Sequence, residues 1–328
     1  MTAFLDRLGL ECPVVQAGMG GGISAGRLAG AVSAAGGLGT VGIMAPRPFA
    51  AALSQAQKLA PGRPVAANLL APFIRAAHVR ACIGADVAMV VIHGDPTPRW
   101  TARLKAGGIN VFQTVGTPAE ATLAVTGGAD GLVVQGIEAG GHLVGTVPIA
   151  DALSRVLEVA EGKPVLAAGG IAEVADVRRV LAAGAVAAVT GTRFLLTPES
   201  GAHEAYRQRV VAADRTIATL LFGFGWPMRH RVVPNAATER WCADNPLGPG
   251  WVRRVGRISA PLGRVLPLSM QGKMVGLQHP TLPIFTPALP LTGMPEKSID
   301  RAALYAGETA SRISGIIPAA EAVARLAP

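Results

Sequence analysis

Val133 to His142, read VVQGIEAGGH, turns a short apolar run into a glycine-rich loop that ends in a histidine. Gly140 and Gly141 have no β-carbon, so a flat ligand can approach their backbone, and His142 is the side chain whose ordinary pKa lies nearest neutrality. His142 is therefore the candidate catalytic base for a proton transfer, with Gly140 and Gly141 against the ligand. Two further junctions have a related design: PVLAAGGI (Pro164 to Ile171) and AVTGTRF (Ala188 to Phe194) each run a strand-like segment into small residues. There, Ala168, Gly169, Gly170, Gly191 and the Thr192 hydroxyl offer a phosphate backbone N–H groups and one O–H, with no lysine needed. A lone glycine pair is as often a tight turn; two such junctions at consecutive strand ends are more specific.

Groups of this kind need a scaffold that brings loop after loop to one rim. Strand-like runs recur at Pro13–Gln16, Gly37–Val41, Pro64–Leu69, Ala88–Ile92, Asn110–Thr114, Gly131–Gln135, Val165–Ala168 and Ala187–Thr190, alternating with helical patterns. Ser24 is expected to cap a helix reaching Ala35. Parallel strands need helical crossovers, so eight strand-then-helix units in roughly 200 residues predict a (β/α)8 TIM barrel. In such a barrel the chemistry sits at the C-terminal ends of the strands, and phosphate is held after strands seven and eight. His142 follows strand six, and Gly18-Met19-Gly20 of AGMGGG follows strand one. A ligand anchored by phosphate at strands seven and eight would lay a flat ring between those two loops, which describes flavin mononucleotide (FMN).

The barrel is expected over residues 1–219. Across residues 220–297 the strand–helix alternation disappears and Trp, Pro and Arg accumulate, including Trp226, Trp241 and Trp251, which predicts a lid or substrate subdomain. Residues 298–328 return to helical patterning, with Ala302, Tyr305, Ile313 and Ala322 as candidates for a buried face, and predict a C-terminal helix packed on the barrel.

With half of its 328 residues apolar, aromatics at 4% and 41 glycines, the chain has the composition of buried parallel strands and Ala-rich helices. Its formal charge of +9 is concentrated between Arg207 and Arg264, including Arg229, Arg231, Arg253 and Arg254. No run of five basic residues and no DNA-binding module accompanies it, so an anionic small-molecule substrate is expected and nucleic acid is not. Cys12, Cys82 and Cys242 form no CxxC, and MTAFLDRLGL lacks a signal pattern, which together predict a cytoplasmic protein with reduced thiols. The apolar stretch Leu28 to Met44 contains too many glycines for a membrane span and suits a buried helix and strand. His78, His203, His230 and His279 lack metal-ligand spacing, so no metal is expected. His93 and Asp95 in HGDPTP could line the barrel mouth, although Asp before Pro is first a turn former. A homodimer is left open.

AGMG after a Pro-Val-Val strand, Asn68 in VAANLL, EAGGH at Glu138 to His142, AAGGI at Ala167 to Ile171 and GTRF at Gly191 to Phe194 together resemble the nitronate monooxygenase family. The likeness spans about residues 10–200. It implies a TIM barrel with non-covalent FMN, the phosphate at Ala168 to Gly170 and Gly191-Thr192, the ring near Gly18, Met19, Gly20 and Asn68, and His142 as the base. Where some members place a lysine after the fifth strand this chain has Phe112-Gln113-Thr114, so a flavin contact from there comes from Gln113 or is absent. Flavin-dependent enoyl-acyl-carrier-protein reductases share the barrel motifs and resemble the Tyr305-Ala-Gly307 tail about equally well.

The resemblance implies oxidation of alkyl nitronates by O₂ to a carbonyl compound and nitrite. The alternative keeps FMN and reverses the electron flow, with NAD(P)H as donor and an enoyl thioester or quinone as acceptor. A phosphate barrel that works through a nucleophilic cysteine is excluded, because Ile137 to His142 contains none. A non-enzymatic reading, in which the barrel senses a flavin or nucleotide, stays open.

Overall fold

The structure, a computed structural model, describes residues 3–265 and 268–328; Met1, Thr2, Leu266 and Pro267 lie outside the described residues. The chain divides into two compact units. The first comprises residues 1–139, 144–200 and 317–328; the second comprises residues 140–143 and 201–316. The second unit thus begins at Gly201, earlier than the expected 220, and takes in residues 298–316 together with the Gly140–Leu143 excursion from the barrel.

The first unit is built on eight parallel strands: β1 (Val14–Gln16), β2 (Gly39–Val41), β3 (Val65–Leu70), β4 (Met89–His93), β5 (Asn110–Val115), β6 (Gly131–Gln135), β7 (Val165–Ala168) and β8 (Ala187–Thr190). Each pairs with its sequence neighbour, β8 pairs with β1, and a parallel bridge between Val15 and Leu38 closes the ring. This is the TIM barrel that the alternation predicts.

Strand alternation divides the buried side chains into two layers. Val15, Leu38, Ala66, Met89, Val91, Phe112, Val133, Leu166 and Ala187 fill the interior together with Phe4 and Leu5 of an N-terminal helix, Ala3–Leu8. Phe4 packs on Phe112 with ring centroids 5.4 Å apart, so this helix plugs the end where the strands begin. The opposite phase, including Val14, Val115, Leu132, Val134, Val165, Ala167 and Ala188, packs against the surrounding helices.

One local expectation is corrected and another narrowed. Ser24 does not cap the following helix, which spans Gly26–Ala34 and has Ala25 at its N-cap. A 3₁₀ turn at Gly20–Gly22, with Gly21 at φ +72°, delays the helix start. The Ser24 hydroxyl instead accepts the Met19 N–H (2.9 Å) and the Gly42 N–H (3.1 Å), tying the strand-one loop to the end of β2. The helix expected within residues 298–328 is present but short. Only Ala319–Leu326 is α-helical, because Gly307, Gly315 and Pro318 interrupt the pattern; it buries Ala319, Ala322, Val323 and Leu326 within the first unit.

The second unit has a three-stranded antiparallel sheet formed by Ile217–Thr219, His230–Val232 and Gly141–His142. Its core holds Leu221, Phe222, Val232, Ala237, Val252, Phe285 and Ala303. Asn235 caps the helix Ala236–Trp241 and donates to the Ile299 and Ala302 carbonyls at 2.7 and 2.9 Å. A longer helix, Gly250–Val265, lies in the stretch where the sequence shows no alternation. Trp226 is buried at 8% exposure, while Trp251 remains half exposed at 51%. No helix among the described residues is long and apolar enough to cross a membrane.

Candidate active site

In the barrel unit, the inward phase changes from apolar to polar toward the strand ends. Thr40, Asn68, His93, Thr114 and Gln135 occupy that upper layer, all buried. Asn68 donates to the Val91 carbonyl at 3.3 Å, and its Cβ lies where a side chain at Gly18 would begin, 2.1 Å away. Gly18 is thus required by close approach to Asn68, which joins the strand-one loop to β3. Within that loop the Met19 and Gly21 amides are spent internally, on the Ser24 hydroxyl and the Ile43 carbonyl, so fewer N–H groups face a ligand than AGMGGG alone suggests. Gly20 lies against the Ile43 carbonyl, and Met19 packs on the helical layer.

Gln113 has the phase of Val111 and Val115, facing the helical layer, and its Nε2 donates to the Gly94 carbonyl at 2.5 Å. Thr114 shares the inward phase of Phe112. The phase of β5 therefore does not favour a flavin contact from Gln113, and a strand buried from Val111 to Val115 gives no sign of that phase in its sequence.

The β7 and β8 loops lie side by side, since Ala168 pairs with Val189 in parallel register. Gly169 and Gly170 have φ of +108° and +69°, conformations that favour glycine, so a tight turn follows β7. A Cβ at Gly170 would meet only the Glu138 side chain at 3.6 Å or more, and one at Gly191 only Ala17 at 3.6 Å. Thr192 is buried at the start of a four-residue helix. Glu138 itself is structural, because its carboxylate accepts the Ile149 N–H at 3.0 Å and caps the helix Ile149–Leu157.

Two inward-phase polar atoms, Thr40 Oγ1 and His93 Nε2, are buried with no hydrogen-bond partner among the described residues. Buried polar groups are seldom left unmatched, so the mouth suits a ligand rich in ring nitrogens and carbonyls. The residues present therefore fit a flavin, with glycine turns for its phosphate and this polar layer for its ring. His93, which the sequence reading placed at the rim without a role, belongs to that layer; β4 periodicity (Met89, Val91, His93) is the signal that finds it.

Gly140, Gly141 and His142 belong to the second unit. The space for a Cβ at Gly140 is filled by the Ala306–Gly307 backbone, 2.5 Å away, so this glycine is needed for packing against its own chain. Gly141 has φ +76° and open space around it. His142 pairs across the small sheet with His230, and the Leu143 N–H donates to the Arg229 carbonyl at 2.8 Å. The imidazole stacks on Trp226 (centroids 3.8 Å apart, planes 23° apart) and is flanked by Tyr305 at 5.3 Å and His230 at 5.5 Å. Trp226 and His230 lie far along the chain from His142, so no local signal in the sequence marks them as its neighbours.

His230 is fully buried; its Nδ1 faces the Met228 carbonyl at 2.9 Å and its Nε2 accepts from the Phe222 N–H at 3.4 Å. That pattern defines one neutral tautomer, and burial lowers the His230 pKa to about 4. Tyr305 donates to the Pro287 carbonyl at 2.8 Å, and burial raises its phenol pKa well above the ordinary value. Arg231, one of the expected anion-binding residues, is occupied by Glu308 at 2.9 Å and the Thr216 hydroxyl at 3.2 Å. Arg254 is exposed.

Burial also lowers the His93 pKa to about 4. His93 and His230 are thus neutral when folded but take up a proton when unfolded below their ordinary 6.5. Stability is full above pH 6.5 and is lost toward pH 4, at about 1.4 kcal/mol per pH unit for each histidine. Urea titrations at pH 7.0 and 5.0 are expected to show this loss, and His93→Asn to remove one proton's share of it; an unchanged slope in the variant would refute the assignment for His93.

A barrel rim with glycine junctions after β7 and β8, and a histidine flanked by aromatic rings, are parts that a flavin-dependent oxidoreductase uses. The nitronate monooxygenase family profile matches residues 2–79 and 72–328, so the chain belongs to that family. It is 32% identical over 246 residues to the (3aS,4S,5R,7aS)-5-hydroxy-7a-methyl-1-oxo-octahydro-1H-indene-4-carboxyl-CoA dehydrogenase of Mycobacterium tuberculosis, covering 73% of this chain and 68% of the relative. Among solved structures, FabK from Thermotoga maritima aligns over 99% of this chain and 94% of its own, with a TM-score of 0.76 and 25% identity. Nitroalkane oxidase from Streptomyces ansochromogenes aligns over 99% and 96%, with a TM-score of 0.75 and 25% identity.

Proposed function

We propose that the chain is a cytoplasmic FMN-dependent oxidoreductase that converts alkyl nitronates and O₂ to a carbonyl compound and nitrite. The observation that carries this reading is His142, held against the Trp226 face and followed in the chain by the two glycine junctions that suit one phosphate. Gly169, Gly170, Gly191 and Thr192 would hold the phosphate; Gly18, Asn68, Thr40 and His93 would bound the ring. FMN, when bound, supplies the electron acceptor. His142 removes the α-proton when a neutral nitroalkane is offered, and holds it away from the carbon as the anion is consumed. General acid–base help of this kind contributes roughly 10²–10⁴ in rate, about 3–5 kcal/mol.

A second reading is favoured by the Mycobacterium tuberculosis relative, whose name is that of a CoA-ester dehydrogenase. The α-carbon of a thioester is acidified as that of a nitroalkane is, so the same histidine would serve, and the exposed Arg254 would suit the phosphates of CoA. The two readings separate on one experiment. Purified protein is expected to be yellow and to release FMN on heating; under anaerobic conditions an alkyl nitronate should bleach its spectrum while NAD(P)H and acyl-CoA esters do little. Rapid bleaching by NAD(P)H or a CoA ester, with no response to nitronate, would exchange the two, and a colourless protein that ignores added FMN would remove both.

A further inference from the structure

The surroundings of His142 contain more than a flat support. Trp226 sits on a tight turn in which its own N–H donates to the Gly223 carbonyl at 3.1 Å and its carbonyl accepts the Met228 N–H at 2.8 Å. Gly225, beside it, has φ +80°, and its N–H donates to the Ser259 hydroxyl at 2.8 Å, which ties the turn to the helix Gly250–Val265. The backbone that carries the indole is therefore held by contacts that do not involve the histidine. At 3.8 Å between centroids and 23° between planes, the imidazole lies on the indole face, where the ring quadrupole is negative.

A neutral imidazole gains dispersion from that face, whereas an imidazolium gains dispersion and a cation–π attraction. The stack thus favours the protonated ring. His230 is neutral in its fixed tautomer, Tyr305 is an un-ionised phenol bonded to Pro287, and Arg231 is paired with Glu308. Arg229, adjoining His230, gives its carbonyl to Leu143.

We propose that Trp226 is a positioning residue for His142: its indole face fixes the plane of the imidazole and stabilises the protonated ring, so that it sets the basicity of the proposed base. This rests on the reading of His142 as the proton-transfer group, yet it concerns the imidazole itself and needs no turnover to be tested.

The test is an NMR titration of ¹³C-histidine-labelled full-length protein between pH 5 and 9, with the His142 resonance assigned by its loss in His142→Gln. The His142 pKa is expected to fall by about 0.5–1.5 in Trp226→Leu, and by less in Trp226→Phe, whose ring keeps part of the quadrupole. The His230 resonance, neutral throughout most of this range, reports whether the small sheet is intact. If the leucine variant disturbs it, Trp226→Phe decides alone: a lowered His142 pKa supports the proposal and an equal one overturns it. A leucine variant with intact His230 and unaltered His142 titration, or a wild-type His142 that does not titrate, overturns it as well. Failure to oxidise nitronates would count against the proposed substrate and leave this result untouched.

Discussion

Gly191→Asp is expected to fold as the parent does and to emerge from purification without FMN. Gly191 has φ −105°, a conformation open to any residue, and a Cβ there meets only Ala17 at an ordinary 3.6 Å. The substitution therefore adds charge with little strain. Two unit charges about 4 Å apart at an effective dielectric near 20 repel by about 4 kcal/mol, roughly a thousandfold in Kd, and a phosphate monoester carries more than one. Gly191→Ala is the matched control and should retain its flavin. Gly170→Asp should lose FMN too, with an added cost of about 1–2 kcal/mol because φ +69° disfavours a β-carbon. Flavin content and thermal unfolding of the apo forms measure the two effects separately. An aspartate variant as yellow as the parent would place the phosphate elsewhere.

The junctions that carry those glycines were legible because strand and turn signals meet at them. Segments such as GLVVQ, VLAA and AAVT are buried on both faces and bounded by glycine, so the eight strands and their order could be read from the sequence to within about a residue or two. Phase within a strand was less legible. In β5 every residue from Val111 to Val115 is buried, and only the contacts of Phe112 with the interior show that Thr114 faces in and Gln113 faces the helices. The six-residue helix that plugs the barrel is too short to show a period. At the other end, Ala302, Ile313 and Ala322 are buried as the helical pattern suggests, but only Ala322 is in an α-helix.

The surroundings of His142 were hidden for a different reason. A two-residue strand has no pattern of its own, and Gly141–His142 exists as a strand only because His230–Val232 pairs with it. The signal that was available is the short strand-like run HRVV, all four residues of which prove buried. Trp226 had no such signal. Its place on the imidazole depends on the left-handed Gly225 and on a hydrogen bond to Ser259, and both are tertiary facts.

His142→Ala is expected to stay yellow and to lose activity in a substrate-dependent way. The residues proposed to hold the phosphate and ring do not include His142, so truncating it removes no proposed flavin contact. A neutral nitroalkane must surrender its α-proton before it can be oxidised, and without the imidazole that step should slow by about 10²–10⁴, read in kcat/KM. An alkyl nitronate prepared beforehand has already lost the proton. Its oxidation should fall by no more than about tenfold, because the variant then loses only an orienting contact, roughly 1 kcal/mol. The ratio of the two losses is the measurement that matters. Equal, large losses with both substrates would mean that His142 binds the anion and is not its base. Loss of FMN from the variant would mean that the ring supports the flavin site or the fold.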